Sequence, residues 1–165
     1  MTTATLKQPD LPANTGIDHN DRKRLADLMG KALASTYVLY HKTHAFHWNI
    51  TGPLFYSVHK LTDDQYQSLA AAIDEIAERI RAIGFPAATG LTRYVKDSVV
   101  EDETLIDDPQ AMIKRLAEDH QSVAIQLRDA VAEAEKADDV YTADLLTGRI
   151  GAHEEAAWML NALLA

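Results

Sequence analysis

The chain has 165 residues, carries 16 Lys and Arg against 25 Asp and Glu, and contains no cysteine. This length suits one domain, and the missing thiols exclude disulfide scaffolds, Cys-ligated zinc, iron–sulfur clusters and thiol catalysis. The net charge of −9 argues against extended electrostatic binding to nucleic acid or to anionic membranes. No apolar stretch approaches the roughly 20 residues of a transmembrane helix, and the polar N-terminus lacks the apolar core of a secretory signal. A soluble cytoplasmic protein is expected.

Hydrophobic periodicity predicts two long helices in the first half of the chain. Residues 1–17 mix Thr, Pro, Asn and Gly without a period and are expected to form a flexible N-terminal tail. The first helix runs from about residue 18 to 49, and Thr51-Gly52-Pro53 follows it as a break. The second helix runs from about 57 to 83, where Gly84-Phe85-Pro86 ends it.

The second half predicts two further long helices after an extended connection. Residues 87–106 form this connection, with a short helix expected around residues 91–95. The third long helix begins at Asp107-Asp108-Pro109, a capping acid followed by a helix-initiating proline, and continues to about Lys136. The fourth runs from Asp138-Asp139 to the C-terminus.

These elements indicate an all-α four-helix bundle over residues 18–165. The short links make the first and second helices antiparallel neighbours, and likewise the third and fourth. The connection of roughly 20 residues between the two pairs can cross the length of the bundle. One long crossover, here carrying a short helix, is the ferritin-like topology.

The second helix carries four potential metal ligands on one face when its residues are placed at about 100° per residue. They are His59, Asp63, Asp74 and Glu78. His47 stands just before the turn that leads into this helix, so it can lie close to His59. In a chain without thiols, any metal must use nitrogen and oxygen ligands, and this combination of imidazoles and carboxylates suits iron.

The axial spacing of these ligands predicts that two chains share a site. The midpoint of the first pair, His59 and Asp63, lies 15 residues from that of Asp74 and Glu78, roughly 22 Å along a helix. Either the two pairs serve unrelated purposes, as solvated surface acids do, or an antiparallel second chain brings its own Asp74 and Glu78 to the first pair. A two-fold axis would then create two equivalent sites.

A motif spans the end of the first helix and most of the second. It consists of His47-Trp48-Asn49, Thr51-Gly52-Pro53-Leu54-Phe55, His59, Asp63 and residues 74–79. This motif resembles the Dps family. These are the mini-ferritins, or DNA-binding proteins from starved cells, and the resemblance covers residues from about 18 to 164. It implies a hollow homododecamer with sites at the two-fold interfaces that each hold two iron ions. There Fe²⁺ is oxidised by hydrogen peroxide, or less readily by oxygen, and stored as ferric mineral. The implied function is iron storage and protection against oxidative stress.

The resemblance also assigns roles to individual residues. One chain would supply His47, His59 and Asp63, and the other Asp74 and Glu78. Trp48 and Trp158 are expected near this centre, where they would intercept radicals or simply pack. His44 and His153 could add nitrogen ligands, which would favour zinc or another divalent metal. The stronger interpretation for both is a hydrogen-bonded core or surface histidine. The same interpretation applies to His41 and His120.

Three acids resemble those that line the three-fold pores of the family, through which iron would be drawn by the local field. They are Glu135, Asp139 and Asp144. A solvated helix terminus explains them nearly as well. Lys60 stands where related proteins often carry an acid on the cavity wall, and Asp64 is the nearest substitute.

The alternative function is DNA binding and nucleoid compaction. The tail carries only Lys7, balanced by Asp10, and Arg22-Lys23-Arg24 is a small basic cluster at the start of the first helix. Since DNA binding needs phosphate neutralisation, weak or absent binding at physiological salt is expected. A larger ferritin or manganese catalase would need Glu-x-x-His motifs on two helices, and no histidine here follows a glutamate by three residues.

Overall fold

The computed structural model describes residues 9–102 and 108–165. Within these ranges the regular structure is entirely helical, without a β-strand. The helices are α1 (His19–Asn49), α2 (Phe55–Ala82), α3 (Leu91–Asp97), α4 (Pro109–Lys136) and α5 (Val140–Ala162). The predicted bounds lie within three residues of these, the usual uncertainty of helix ends. The predicted ferritin-like bundle with one crossover is confirmed.

Aspartate side chains define where three of the long helices begin. Each accepts a hydrogen bond from a backbone N–H two or three residues further along: Asp18 at α1, Asp108 at α4 and Asp139 at α5. Such a cap contributes about 1 kcal/mol to helix stability. Pro109 follows Asp108 at the first helical position, as the sequence predicted, whereas Asp107 lies outside the described residues.

Interhelix ion pairs show the directions of the helices. Arg24, near the start of α1, binds Glu133, near the end of α4, at 2.8 Å. Lys42, late in α1, binds Asp119, in the first half of α4, at 2.7 Å. These helices are therefore antiparallel. Because the short link also makes α1 and α2 antiparallel, α2 and α4 run parallel, and the connection between them must cross the bundle.

The crossover packs along α1. Tyr94 of α3 stacks on Tyr37 with ring centroids 4.8 Å apart, and the backbone N–H of Val99 donates to Ser35 Oγ at 3.1 Å. Val100 is buried. These contacts hold the described part of the crossover against α1.

The core consists of aliphatic side chains from all four long helices. Fully buried examples are Leu33 on α1, Leu69 on α2, Leu116 on α4 and Leu146 on α5, each contributing roughly 1.5–3 kcal/mol by its burial. None of the described helices combines the length and apolar character needed to cross a bilayer. Because its apolar side chains pack into this core, α2 places its polar face, which carries the predicted ligands, at the surface of the single chain.

Part of the segment predicted as a flexible tail is anchored to the bundle. The N–H of Leu11 donates to the carbonyl oxygen of Gly84 at 2.8 Å. Buried Arg22 donates to the carbonyl oxygens of Ile83 at 2.6 Å and Ile17 at 3.2 Å. Gly84 has φ +103°, and a Cβ there would lie 2.9 Å from the oxygen of Leu11. The expectation of a wholly flexible tail therefore does not hold for the part next to α1, whereas residues 1–8 lie outside the described ranges.

Candidate metal centre

Two histidines from either side of the first turn lie against each other. His47 belongs to the last turn of α1 and His59 to the second turn of α2. Their rings stack with centroids 3.8 Å apart and planes inclined by 19°. The link between the helices reverses tightly through Gly52, which has φ +84° and accepts a backbone hydrogen bond from Phe55. The expected proximity of the two histidines is observed.

Each of these rings is oriented by the backbone of the other residue. His47 Nδ1 lies 2.9 Å from the carbonyl oxygen of His59, and His59 Nδ1 lies 3.0 Å from that of His47. A carbonyl oxygen only accepts hydrogen bonds, so both Nδ1 atoms carry the proton in this network. In the neutral tautomer that this network selects, the lone pair lies on Nε2 of each ring, which is the arrangement found in metal-binding histidines.

Thr62 supports the same assignment. Its hydroxyl donates to the carbonyl oxygen of Val58 at 2.7 Å. The hydroxyl oxygen lies 3.2 Å from His47 Nδ1, towards which it presents a lone pair. His47 therefore has a second acceptor for its Nδ1–H. Because Thr62 lies one turn after Val58 on α2, the α2 backbone and side chains together fix the tautomer of a residue on α1.

Asp63 lies one turn after His59 and is half-buried. Its Oδ1 accepts a hydrogen bond from the Tyr66 hydroxyl at 2.7 Å. This bond is the main reason why the pKa of Asp63 lies below its ordinary value, so the carboxylate is anionic at neutral pH. Tyr66 was not predicted as a site residue, although its position three residues after Asp63 places it on the same helix face.

Asp74 and Glu78 are exposed further along α2. They lie about 22 Å along the helix from the first pair, by the helical rise of about 1.5 Å per residue. Within residues 9–102 and 108–165 of one chain, no three His, Asp or Glu side chains come close enough together to hold a metal ion. The five predicted ligands therefore do not form a complete centre in one subunit.

His44 lies beside the histidine pair in an aromatic cluster. Its ring stacks on Tyr66 at 4.1 Å and approaches Trp48 at 4.2 Å, whereas its centroid is 6.1 Å from that of His47. Burial, followed by the neighbouring His47 and His41, lowers the pKa of His44. His44 is therefore a neutral imidazole at neutral pH and a close neighbour of the pair.

Two exposed aromatic side chains, Phe55 and Trp48, contact the histidines of this region. Phe55 stacks on His59 at 5.1 Å and is 45% exposed. Trp48 and Tyr56 are also exposed, and so is Trp158 on α5. Exposed aromatic side chains on a single chain are typical of a protein–protein interface. His59 therefore lies beside a side chain of the kind found in subunit contacts.

His153 lies in the bundle interior and not beside His47. Its Nδ1 is 2.9 Å from Nδ1 of His120 on α4, and both residues are buried. Burial lowers the pKa of His153 to about 2 and that of His120 to about 3, so both are neutral. His41 is exposed on α1, beside the crossover.

The predicted pore acids differ in their surroundings. Asp139 is 3% exposed and accepts hydrogen bonds from Arg79 Nη2 at 2.7 and 2.8 Å and from the Thr142 hydroxyl at 2.7 Å. Burial alone raises the pKa of Asp139, but these bonds outweigh it and lower the pKa. This carboxylate therefore joins α2 to α5, whereas Glu135 and Asp144 are exposed.

Comparison with known proteins identifies the family. A family model described as a ferritin-like domain matches residues 26–165. DNA protection during starvation protein 2 from Bacillus anthracis is 33% identical over 142 residues, which cover 86% of this chain and 97% of that protein. A Dps protein from Vibrio cholerae, described as a member of a superfamily of ferritin-like diiron-carboxylate proteins, superposes with a TM-score of 0.88 at 28% identity, over 96% of this chain and all of that one.

DpsC from Streptomyces coelicolor superposes with a TM-score of 0.92 over 98% of this chain and 96% of that one. Its 24% identity shows the fold alone. The family model and the Bacillus anthracis relative go further, because each spans most of the chain. Together with the His47–Asp63 and Asp74–Glu78 motifs, they show that this chain belongs to the Dps family of ferritin-like proteins.

Proposed function

We propose that this protein is a ferroxidase that oxidises Fe²⁺ and stores the ferric product in a cage of twelve identical subunits. Membership of the Dps family supports iron storage and protection in general terms. The observation that carries the specific proposal is the His47–His59 pair, whose reciprocal hydrogen bonds direct both Nδ1 protons to the backbone. Both Nε2 lone pairs are thereby available to the iron substrate.

We assign the centre to two subunits related by a two-fold axis. One subunit supplies His47, His59 and Asp63, and the other supplies Asp74 and Glu78. The separation of about 22 Å along α2 supports this division, and so does exposed Phe55, which stacks on His59. A two-fold axis uses the same face of both chains, so one interface produces two equivalent centres.

The proposed reaction is the oxidation of two Fe²⁺ ions by one peroxide molecule. Two Fe²⁺ ions each lose one electron, and one hydrogen peroxide molecule takes up both electrons with two protons to form two water molecules. The peroxide is thus reduced in pairs of electrons, which avoids the hydroxyl radical that one-electron reduction would release. The anionic carboxylates favour the Fe³⁺ product, because they attract a more highly charged ion more strongly. Oxygen is the alternative oxidant.

The combined substitution His59→Gln and Asp63→Asn tests this proposal. Initial rates of Fe²⁺ oxidation by peroxide should fall at least roughly tenfold, towards the rate without protein, since two ligands are lost from every centre. Circular dichroism and particle size should not change. The matched control is His19→Gln with Asp129→Asn, two exposed positions outside the candidate centre. Oxidation at the wild-type rate in the first variant would place the chemistry elsewhere.

We infer that DNA binding is weak or absent at physiological salt. The predicted basic cluster is used within the chain: Arg22 is buried, Lys23 pairs with Asp27, and Arg24 pairs with Glu133. Few phosphates can therefore be neutralised there. A gel-shift series at increasing salt checks this, and tight binding that is lost steeply with salt would contradict it.

A further inference from the structure

A second polar site lies between α2 and α5 and is lined by none of the five predicted ligands. A cavity of about 230 Å³ opens there. Gln65 and Ser68 line it from α2, Arg149 lines it from α5, and His120 reaches it from α4. None of these four residues belongs to the ligand set assigned to iron.

Buried polar atoms around this cavity lack hydrogen-bond partners among the described residues. They are both amide atoms of Gln65, Nε2 of His120 and Nε of Arg149. Gln65 is 8% exposed and His120 is 2% exposed. Each buried polar group without a partner costs about 1–3 kcal/mol, and native proteins keep few of them. Four such atoms, contributed by three helices to one cavity, indicate a site built for a polar ligand.

The least exposed charged side chain of the cavity lining is the cation Arg149. Arg149 donates from Nη1 to Ser68 Oγ at 3.2 Å, and within the described residues no carboxylate forms a salt bridge with it. The charge of Glu75 raises the pKa of Arg149, but burial has the larger effect and lowers it. The positive charge of Arg149 helps to lower the pKa values of His120 and His153, after burial. A cation would meet the same repulsion. Two carboxylates, Asp64 and Glu155, also line the cavity, but both are exposed, so solvent screens them.

The His120–His153 pair supplies a further donor. Their Nδ1 atoms are 2.9 Å apart, so one of them carries the proton and the other accepts. When His153 donates, the proton of neutral His120 resides on Nε2, the atom that lacks a partner. His120 Nε2, the amide of Gln65, the hydroxyl of Ser68 and Nε of Arg149 then form a set of four hydrogen-bond donors.

From this arrangement we propose that the cavity binds an inorganic tetrahedral oxyanion of the phosphate or sulfate class. The guanidinium of Arg149 provides the charge, and a charge-assisted hydrogen bond from it is stronger than a neutral one. Gln65, Ser68 and His120 provide neutral donors from two other helices. The ligand would satisfy buried atoms of α2, α4 and α5 at the same time, and its binding would therefore hold these helices together.

Calorimetric titration of the assembled protein with inorganic phosphate tests the proposal. We expect saturable binding that Arg149→Met weakens roughly tenfold or more, because it removes the charged donor. Gln65→Leu should weaken binding severalfold by removing a neutral donor. Arg128→Met is the matched control, since Arg128 on α4 is exposed, pairs with Glu154 on α5 and does not line the cavity. Circular dichroism of each variant verifies that it has folded.

Several results would overturn the proposal. One is the absence of saturable phosphate binding to the folded wild type, and another is equal binding by wild type and Arg149→Met. A third comes from titration with Co²⁺ alone. A visible absorption band of nitrogen-bound cobalt that disappears in His120→Gln, and persists in His59→Gln, would identify a cation site. A crystal structure grown in phosphate that shows only ordered water at these atoms would assign the cavity to solvent.

Discussion

The substitution Asp139→Asn is expected to weaken the junction between α2 and α5. The Asp139 carboxylate is 3% exposed and accepts two hydrogen bonds from Arg79, at 2.7 and 2.8 Å. It also accepts from the backbone N–H and the hydroxyl of Thr142. Asparagine keeps the shape of the side chain and one capping oxygen, but it removes the negative charge. The substitution therefore tests the negative charge that Asp139 presents to Arg79, the residue that follows Glu78, and to Thr142.

The size of the effect follows from the burial of the pair. A hydrogen bond to a charged group contributes about 1.5–3 kcal/mol to stability. The Arg79 side chain is 15% exposed, so water restores part of the lost interaction. We expect the free energy of unfolding to fall by about 2 kcal/mol at neutral pH, which for a chain of this size lowers the melting temperature by roughly 4–8 °C.

The pH dependence has a definite sign. Burial alone raises the pKa of Asp139, but the hydrogen bonds from Arg79 and Thr142 place it below the ordinary value in the folded chain. The ionised carboxylate therefore contributes its full stabilisation above the unfolded pKa of about 3.9. This contribution is lost as the pH falls through the lower folded-state pKa. The difference between wild type and variant should be constant near neutral pH and shrink in acid.

Thermal unfolding followed by circular dichroism, at one fixed protein concentration because assembly affects stability, measures this difference. Asp129→Asn is the control, since Asp129 is exposed on α4. The reasoning would be refuted if Asp139→Asn melted with the control, or if the difference from wild type grew as the pH was lowered.

Two further substitutions test the packing of the bundle. Gly84→Ala should lower the unfolding free energy by about 1–3 kcal/mol, because φ is +103° and a Cβ would lie 2.9 Å from the oxygen of Leu11. Thermal melting and faster proteolysis of the segment before α1 check this. Gly30→Ala is the control, since a Cβ at Gly30 meets no atom and should not destabilise the protein. Lys42→Met removes the cation that lies 2.7 Å from Asp119 in the interior. The free energy of unfolding, measured by chemical denaturation, should fall by about 3–5 kcal/mol. A fall below about 1 kcal/mol would contradict the assignment of a buried ion pair.

The helices and the histidine pair could be predicted from local sequence features. Apolar periodicity and the Asp108-Pro109 start mark the helices, and both signals act within a few residues. Only residues 50–54 separate α1 from α2, so His47 and His59 had to lie near one another. The ligand stripe on α2 follows from the helical repeat alone. These features depend on short-range geometry, which a sequence states explicitly.

The features that escaped prediction depend on how distant segments pack. The anchoring of Leu11 needs the backbone of Gly84, which no periodicity links to it. The His120–His153 pair depends on the register between α4 and α5, which the core sets. The role of Asp139 likewise arises from Arg79, 60 residues earlier in the chain. The sequence around such a residue does not show whether its side chain is buried in a pair or exposed at the surface.

Co-assembly of two inactive variants tests whether the iron centre is shared between subunits. One chain carries His59→Gln with Asp63→Asn, and the other carries Asp74→Asn with Glu78→Gln. In a mixed two-fold pair, one centre loses both halves and the other keeps every ligand. Random co-assembly should restore roughly a quarter of the wild-type centres, since half of the pairs are mixed and each keeps one of two. Rapid Fe²⁺ oxidation at about that level is predicted, and mixed particles as inactive as the separate variants would contradict a shared centre.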